Sequence, residues 1–178
     1  MRISYSLLSL WQKGDVEGAI KTYLHTNNTP NERMKQGKII HKEIQDHIVK
    51  HNKFPDWFFK YEFTKPENEK EVVVKYNERF DLKAILDTYD TGIGFEYKTG
   101  TQDSLVWARS AQVPLYMLTC SLADIPVSKF YLMHWDQYRK ERDYSLIWYN
   151  QEQIDKARNY IDSYAPEIYE YFSREGII

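Results

Sequence analysis

The segment Gly92-Ile93-Gly94-Phe95-Glu96-Tyr97-Lys98-Thr99-Gly100 sets a carboxylate and an amine two residues apart in a run of strand-forming residues. Side chains alternate across a strand, so Gly94, Glu96 and Lys98 share one face while Ile93, Phe95 and Tyr97 share the other. A second carboxylate, Asp87, ends the preceding strand-forming stretch, and the turn Asp90-Thr91-Gly92 lies between. Antiparallel pairing of the two stretches would bring Asp87 beside Glu96. Hard carboxylate oxygens suit Mg²⁺ or Mn²⁺. Such a cation polarises a phosphate and lowers the pKa of a water, and a nearby lysine steadies the charge that develops. An isolated Asp with Glu-x-Lys also describes an exposed strand pair with a salt bridge, so the neighbouring residues decide its meaning.

Gly37 and His41 stand at i, i+4, on one helix face. A glycine lets another element approach closely, and the histidine would then point into the same crevice. Gln112 and Tyr116 repeat the spacing, with Arg109 preceding them on the same side and Pro114 marking a kink or helix start. Each has a plainer reading, a satisfied helix histidine for His41 and ordinary helix surface or core for Gln112 and Tyr116. His47 and His51, again at i, i+4, could chelate Zn²⁺, but no third ligand suggests itself and an exposed polar face is the better reading.

These residues need a scaffold. Residues 4–24 read as a helix broken near Gly14-Asp15, residues 26–31 as a polar loop with a helix start at Thr29-Pro30, and residues 31–52 as a helix burying Ile40, Ile44 and Ile48. Strands are expected at 57–63, 71–76, 80–88 and 93–98, with 67–71 a solvated hairpin tip. Residues 104–122 return to helical spacing, two strands follow at 129–135 and 144–149, and residues 151–172 close as a helix. This order describes an α/β sandwich around a mixed sheet, in one domain spanning residues 1–178.

Bulk properties narrow the classes. No run of about 18 apolar residues exists to cross a membrane, and the first residues lack a signal-peptide pattern. A single cysteine, Cys120, excludes an internal disulfide and any site needing four thiolates. The cytoplasm is therefore the expected compartment. Net charge is −2, yet residues 1–60 carry 10 Lys/Arg against 6 Asp/Glu, so a basic third could contact phosphates while carboxylates elsewhere hold metal. There is no phosphate-cradling glycine loop, hence no motor.

In order and spacing, Ser4-Tyr5-Ser6-Leu7-Leu8-Ser9-Leu10-Trp11, Gly37-x-x-x-His41, Asp87 before Glu96-Tyr97-Lys98-Thr99-Gly100, and Gln112-x-Pro114-Leu115-Tyr116 resemble the RecB-type branch of the PD-(D/E)XK nucleases. That branch includes CRISPR-associated RecB-like exonucleases and phage enzymes, and the likeness covers about residues 3–120. The resemblance implies a restriction-endonuclease-like core and divalent-metal-dependent cleavage of DNA from an end. It implies metal ligation by His41, Asp87, Glu96 and the Tyr97 carbonyl, Lys98 as catalytic lysine, Gln112 orienting the site, and Tyr116 and Arg109 near substrate. Glu62, in the first expected strand, resembles a further acidic position of some relatives. A histidine ligand tilts the preference toward Mn²⁺.

The sequence departs from the pattern twice. Many members hold an iron–sulfur cluster on four cysteines; with Cys120 alone, no cluster is expected. Leu7, Leu10 and Trp11 would instead pack against Ile154, Ile161, Tyr164 or Ile168. A glycine usual before the catalytic aspartate is replaced around Ala84, which leaves Asp81 as a rival to the favoured Asp87. The resemblance also implies partners in DNA repair, recombination or CRISPR-type systems. Against an enzyme stands a rival from another class: a catalytically weak DNA-binding or assembly subunit.

Overall fold

The computed structural model describes residues 1–26, 32–136 and 138–178. The Thr29-Pro30 helix start falls outside these. Among the described residues twelve elements follow in order: β1 (Arg2–Ser4), α1 (Tyr5–Gln12), α2 (Val16–Tyr23), α3 (Glu32–His51), β2 (Pro66–Lys75), β3 (Asp81–Asp90), β4 (Ile93–Thr99), α4 (Ser104–Ala108), α5 (Gln112–Leu122), β5 (Lys129–Asp136), β6 (Glu141–Trp148) and α6 (Gln151–Arg174). The strands form one mixed six-stranded sheet with helices on both faces, the α/β class expected. No helix among the described residues is long and apolar enough to cross a membrane.

The sheet carries a notch that matters later. β2 pairs antiparallel with β3 from Pro66↔Asp90 to Lys75↔Asp81, occupying one whole edge. A strand has only two edges, so β1 and β4 share the other. β1 takes residues 81–83 in parallel, and β4 takes residues 88–90 in antiparallel fashion. Residues 84–87 have no ladder partner on that side. Beyond the notch β4 continues in parallel with β5, and β5 pairs antiparallel with β6.

One core lies between the sheet and helices α1, α2, α5 and α6. The α6 stripe Ile154, Ala157, Ile161, Ala165, Ile168 and Phe172 repeats every three or four residues and is buried throughout. Leu7 and Leu8 are buried in the same cluster. Trp11 packs edge-on against Tyr171 at 5.3 Å, so the first and last helices hold each other near the far end of α6. The second core, on the opposite face, joins Ile44 and Ile48 of α3 to Phe95, Tyr97 and Met133 and to an aromatic loop.

That loop corrects the sequence reading. Residues 57–63 form no strand; a single bridge, Lys53↔Glu62, is all the pairing present. Phe54, Phe58 and Phe63 all bury their rings in one cluster, which a period-two strand cannot do. Buried Asp90 fixes the loop by accepting from Thr64 N at 3.0 Å and Lys65 N at 2.6 Å. Residues 67–71 are likewise no hairpin tip but the first half of β2. The stretch 4–24 divides into α1 and α2 near Gly14, as expected, with β1 ahead of them. The stretch 104–122 divides at residues 109–111.

Candidate active site

Glu96 stands on the β4 face that meets α5. Gly94, two residues before it, makes room, because a Cβ there would lie 2.2 Å from the Phe130 ring. Glu96 is 4 % exposed. Its Oε1 accepts from Lys98 Nζ at 2.7 Å and from Gln112 Nε2 at 2.6 Å. Gln112 opens α5 and also donates to Tyr116 Oη, one turn on, at 2.8 Å. Tyr116 is itself buried against Phe130 and so braces Gln112. The Oε2 atom of Glu96 is buried with no hydrogen-bond partner among the described residues. Such an atom costs free energy unless something reaches it.

Asp87 lies at the notch. Extending the register Thr88↔Phe95 by one step sets it opposite Glu96. The ladder has ended there, and Asp87 Oδ2 takes the hydrogen bond of Tyr97 N at 2.6 Å in its place. His41 Nδ1 is 3.8 Å from Asp87 Oδ1, and its ring meets Tyr97 edge-on at 5.7 Å. Gly37, one turn earlier on α3, lets the helix come this close: a Cβ there would sit 2.8 Å from Thr99 Oγ1.

The electrostatics follow from that crowding. Burial, reinforced by the Asp87 charge, pushes the Glu96 carboxyl up to about 7. Burial raises Asp87 to about 6 against the opposing pull of the Tyr97 N–H and Lys98. Burial alone would lower Lys98, but Glu96 and Asp87 outweigh it and hold the ammonium charged. The Glu96–Lys98 pair is thus asymmetric, since the lysine faces two carboxylates while Glu96 faces one carboxylate as well as the lysine. Burial lowers His41, with Lys98 acting in the same direction and Glu96 against it. A neutral imidazole keeps a lone pair to donate.

Asp87, Glu96, Lys98, Gln112, Tyr116, the Tyr97 backbone and His41 are therefore gathered at one place. Three expected residues are not. Glu62 is exposed on the aromatic loop, beside Lys53 and Asp56. Asp81 is at the opposite end of β3, paired with Arg2 and Lys75, about 20 Å along the strand from Asp87. Arg109 caps α4 and lines a neighbouring groove with Tyr5 and Tyr160. Its carbonyl accepts from Lys156 Nζ at 2.8 Å. The His47 and His51 rings pack at 4.4 Å with no third ligand among the described residues.

The donor set fits a divalent cation in chemistry: two carboxylates, one with an orphaned oxygen, a neutral imidazole and a main-chain carbonyl at Tyr97. The side chains do not already form a cage. Among the described residues no three His, Cys, Asp or Glu groups are arranged around one point. Lys98 and Gln112 hold one oxygen of Glu96, and Tyr97 N holds one of Asp87.

Two residues at the site have no counterpart in the sequence reading. Trp107 of α4 lies 5.1 Å from Lys98 Nζ across its ring and walls the cleft above the lysine. Glu69 lines the same cleft, of about 950 Å³, with His41 and Lys98. Nothing local marks Trp107, and Glu69 lies in residues 67–71, whose composition is that of a hairpin tip although they belong to β2.

No protein-family model and no curated protein sequence matches the chain, but solved structures do. An alkaline exonuclease from Laribacter hongkongensis superposes with a TM-score of 0.60 at 10 % identity, covering 99 % of this chain and 93 % of that one. The same enzyme solved with dAMP gives 0.59 at 11 % identity, over 98 % and 93 %. A phage-related exonuclease from Haemophilus somnus 129PT gives 0.54 at 13 % identity, over 98 % and 96 %. At such identities the likeness establishes a shared fold, with its central mixed sheet flanked by helices.

Proposed function

We propose that this protein is a divalent-cation-dependent deoxyribonuclease of the RecB-type branch, acting from DNA ends and using Mg²⁺ or Mn²⁺. One observation carries the reading. Glu96 is buried, held on one oxygen by Lys98 and Gln112, and left with its other oxygen unpartnered beside Asp87. A structural salt bridge has no use for that arrangement, because an orphaned carboxylate oxygen only destabilises the fold. The exonuclease folds above support the reading, and so does the basic excess of residues 1–60.

Asp87, Glu96, His41 and the Tyr97 carbonyl would hold the cation. When bound, it supplies Lewis acidity toward a phosphodiester and activates a water. Lys98 keeps its proton and presents a cation beside Glu96, where it steadies charge on the reacting phosphate. Gln112, braced by Tyr116, fixes the rotamer of Glu96. Trp107 screens Lys98 from solvent on one side, which strengthens the field at the phosphate.

The open arrangement of the acidic side chains favours a second reading, a catalytically weak DNA-binding or assembly subunit within repair, recombination or CRISPR-type complexes. One digestion separates the two. End-labelled linear and covalently closed circular DNA, single- and double-stranded, are incubated with Mg²⁺, Mn²⁺ or EDTA. The nuclease reading expects cation-dependent loss of the linear substrates, with circles spared. Intact DNA in every arm, with binding retained, would establish the subunit instead.

A further inference from the structure

The two edges of the sheet are built differently. β2 closes one edge and carries Glu67, Glu69, Lys70, Glu71 and Lys75, the kind of charge that keeps an open strand from pairing with another chain. β6 closes the other edge and, among the described residues, pairs with β5 alone. Its charges stop at Asp143, and Tyr144-Ser145-Leu146-Ile147-Trp148-Tyr149 has none. Tyr144, Leu146 and Trp148 share one face of the strand, at 53, 37 and 57 % exposure. On the other face α4 is tied to β6 through Ser104 and adds exposed Leu105 and Val106. An edge that is apolar on both faces and unguarded by charge is costly to leave bare.

The phase of the hydrogen bonds shows what this edge offers. Trp135 O accepts from Gly100 N, so residues 129, 131, 133 and 135 of β5 aim their main-chain groups at β4 and the residues between them aim at β6. The register sets Phe130↔Ile147, Leu132↔Ser145 and His134↔Asp143, which are therefore the bonded pairs. The N–H and C=O groups of Arg142, Tyr144, Leu146 and Trp148 consequently point away from β5, into the open. Tyr149 N, which donates to Ser128 O, fits the same phase. A row of alternating donors and acceptors at this spacing is matched by another β-strand, and a nucleic acid has no such row.

We propose that β6 is the interface for a second copy of this chain, paired antiparallel about a two-fold axis at Leu146 so that the two sheets become one. In that register Leu146 meets its own copy, Tyr144 meets the partner's Trp148, and Arg142 meets the partner's Asn150. Apolar side chains then face apolar ones and no like charges oppose, a match that symmetry supplies to a second copy. Farther out, the β5–β6 hairpin end of one copy, with Arg139 and Lys140, runs past the start of α6 in the other, where Glu152 lies, so opposite charges meet. Two of the rings are already held in place: Trp148 by Lys129 Nζ at 5.1 Å, and Tyr144 edge-on by Phe59 at 5.1 Å. Little freedom is left for them to lose on association. Asp143 and Ser145 of β6 bond Ser104 at the head of α4, whose Trp107 lies over Lys98, so the paired edge adjoins the proposed centre without depending on its chemistry.

Sedimentation equilibrium and light scattering of the full chain, over a range of concentrations, measure the mass. The expected result is a reversible dimer. Leu146→Lys sets two ammonium groups against each other on the axis, and Trp148→Glu places a carboxylate beside Lys129; each should weaken dimerisation by roughly tenfold or more. Both side chains are exposed on an edge strand, so at least one variant keeps the fold, which circular dichroism checks. Mild oxidation of introduced thiols reads the register. Leu146→Cys should cross-link two chains, because directly opposed residues have Cα atoms about 5.5 Å apart, and Arg142→Cys should not. The native Cys120 is buried and stays silent. A wild-type mass other than two chains, a dimer indifferent to both charged variants, or cross-linking through Arg142→Cys in place of Leu146→Cys overturns the proposal. So does one chain carrying a co-purified nucleic acid or foreign protein. Each of these results leaves the nuclease reading as it stands, since that reading is decided by the digestion.

Discussion

Replacing Glu96 by glutamine removes a charge that the folded protein holds at a cost, and the size of that cost follows from the site. Burial and Asp87 raise the Glu96 carboxyl from 4.5 to about 7. A group raised in the folded state keeps its proton where the unfolded chain has released it. Its contribution is therefore fully present below about pH 4.5 and is lost as pH climbs through about 7. At 1.36 kcal/mol per unit, the loss by pH 8 is about 3 kcal/mol. Glutamine is neutral throughout, nearly isosteric, and can still accept from Gln112 and Lys98 through its carbonyl oxygen. Lys98 also keeps the charge of Asp87 beside it. Without divalent cations, Glu96→Gln should match the wild type at pH 4 and exceed its melting temperature by roughly 5–10 °C at pH 8. Calorimetric scans in EDTA from pH 4 to 8 measure this. Added Mn²⁺ should then raise the wild type and not the variant. Parallel pH profiles for the two proteins, or a variant less stable at pH 8 than at pH 4 relative to wild type, would refute the account of a strained carboxylate.

Lys98→Ala should abolish cleavage in the end-labelled assay while keeping the fold and most DNA affinity, since in the proposed reaction the ammonium acts on the reacting phosphate; near-wild-type cutting would remove it from the chemistry. Asp87→Asn should eliminate cleavage and Asp81→Asn should leave it within about twofold, because Asp81 lies at the other end of β3; equal losses in rate assays would contradict that placement. Gly94→Ala should cost about 1–3 kcal/mol or more by denaturant titration, because its Cβ would overlap the Phe130 ring at 2.2 Å. Ending the chain before Gln151 should expose Trp11, Leu7 and Leu8 and lower the melting temperature or solubility, since α6 supplies Tyr171 and Phe172 against α1; an unchanged melt would show that α1 and α6 do not hold each other.

Local pattern was enough to place the strand of the proposed centre and its partner. Glu96 and Lys98 share a face because strand side chains alternate, and Asp87 meets Glu96 because the turn at residues 91–92 folds β3 onto β4. Helical spacing likewise set Gly37 beside the site with His41, and the apolar period of residues 151–172 marked the stripe that packs on the first helix. Tertiary structure decided what no local period encodes. Residues 57–63 are strand formers by type, yet convergence of Phe54, Phe58 and Phe63 on one cluster makes them a loop and leaves Glu62 far from the centre. Arg109 follows helical spacing with Gln112, but the chain breaks between α4 and α5 and turns it into another groove. Glu69 reads as turn until β2 is seen to run the whole length of β3. Its place beside the cleft that His41 and Lys98 line depends on how β2 pairs with β3. Alternation and helical period are properties of a single segment, whereas register and the notch in the sheet exist only once three strands have met.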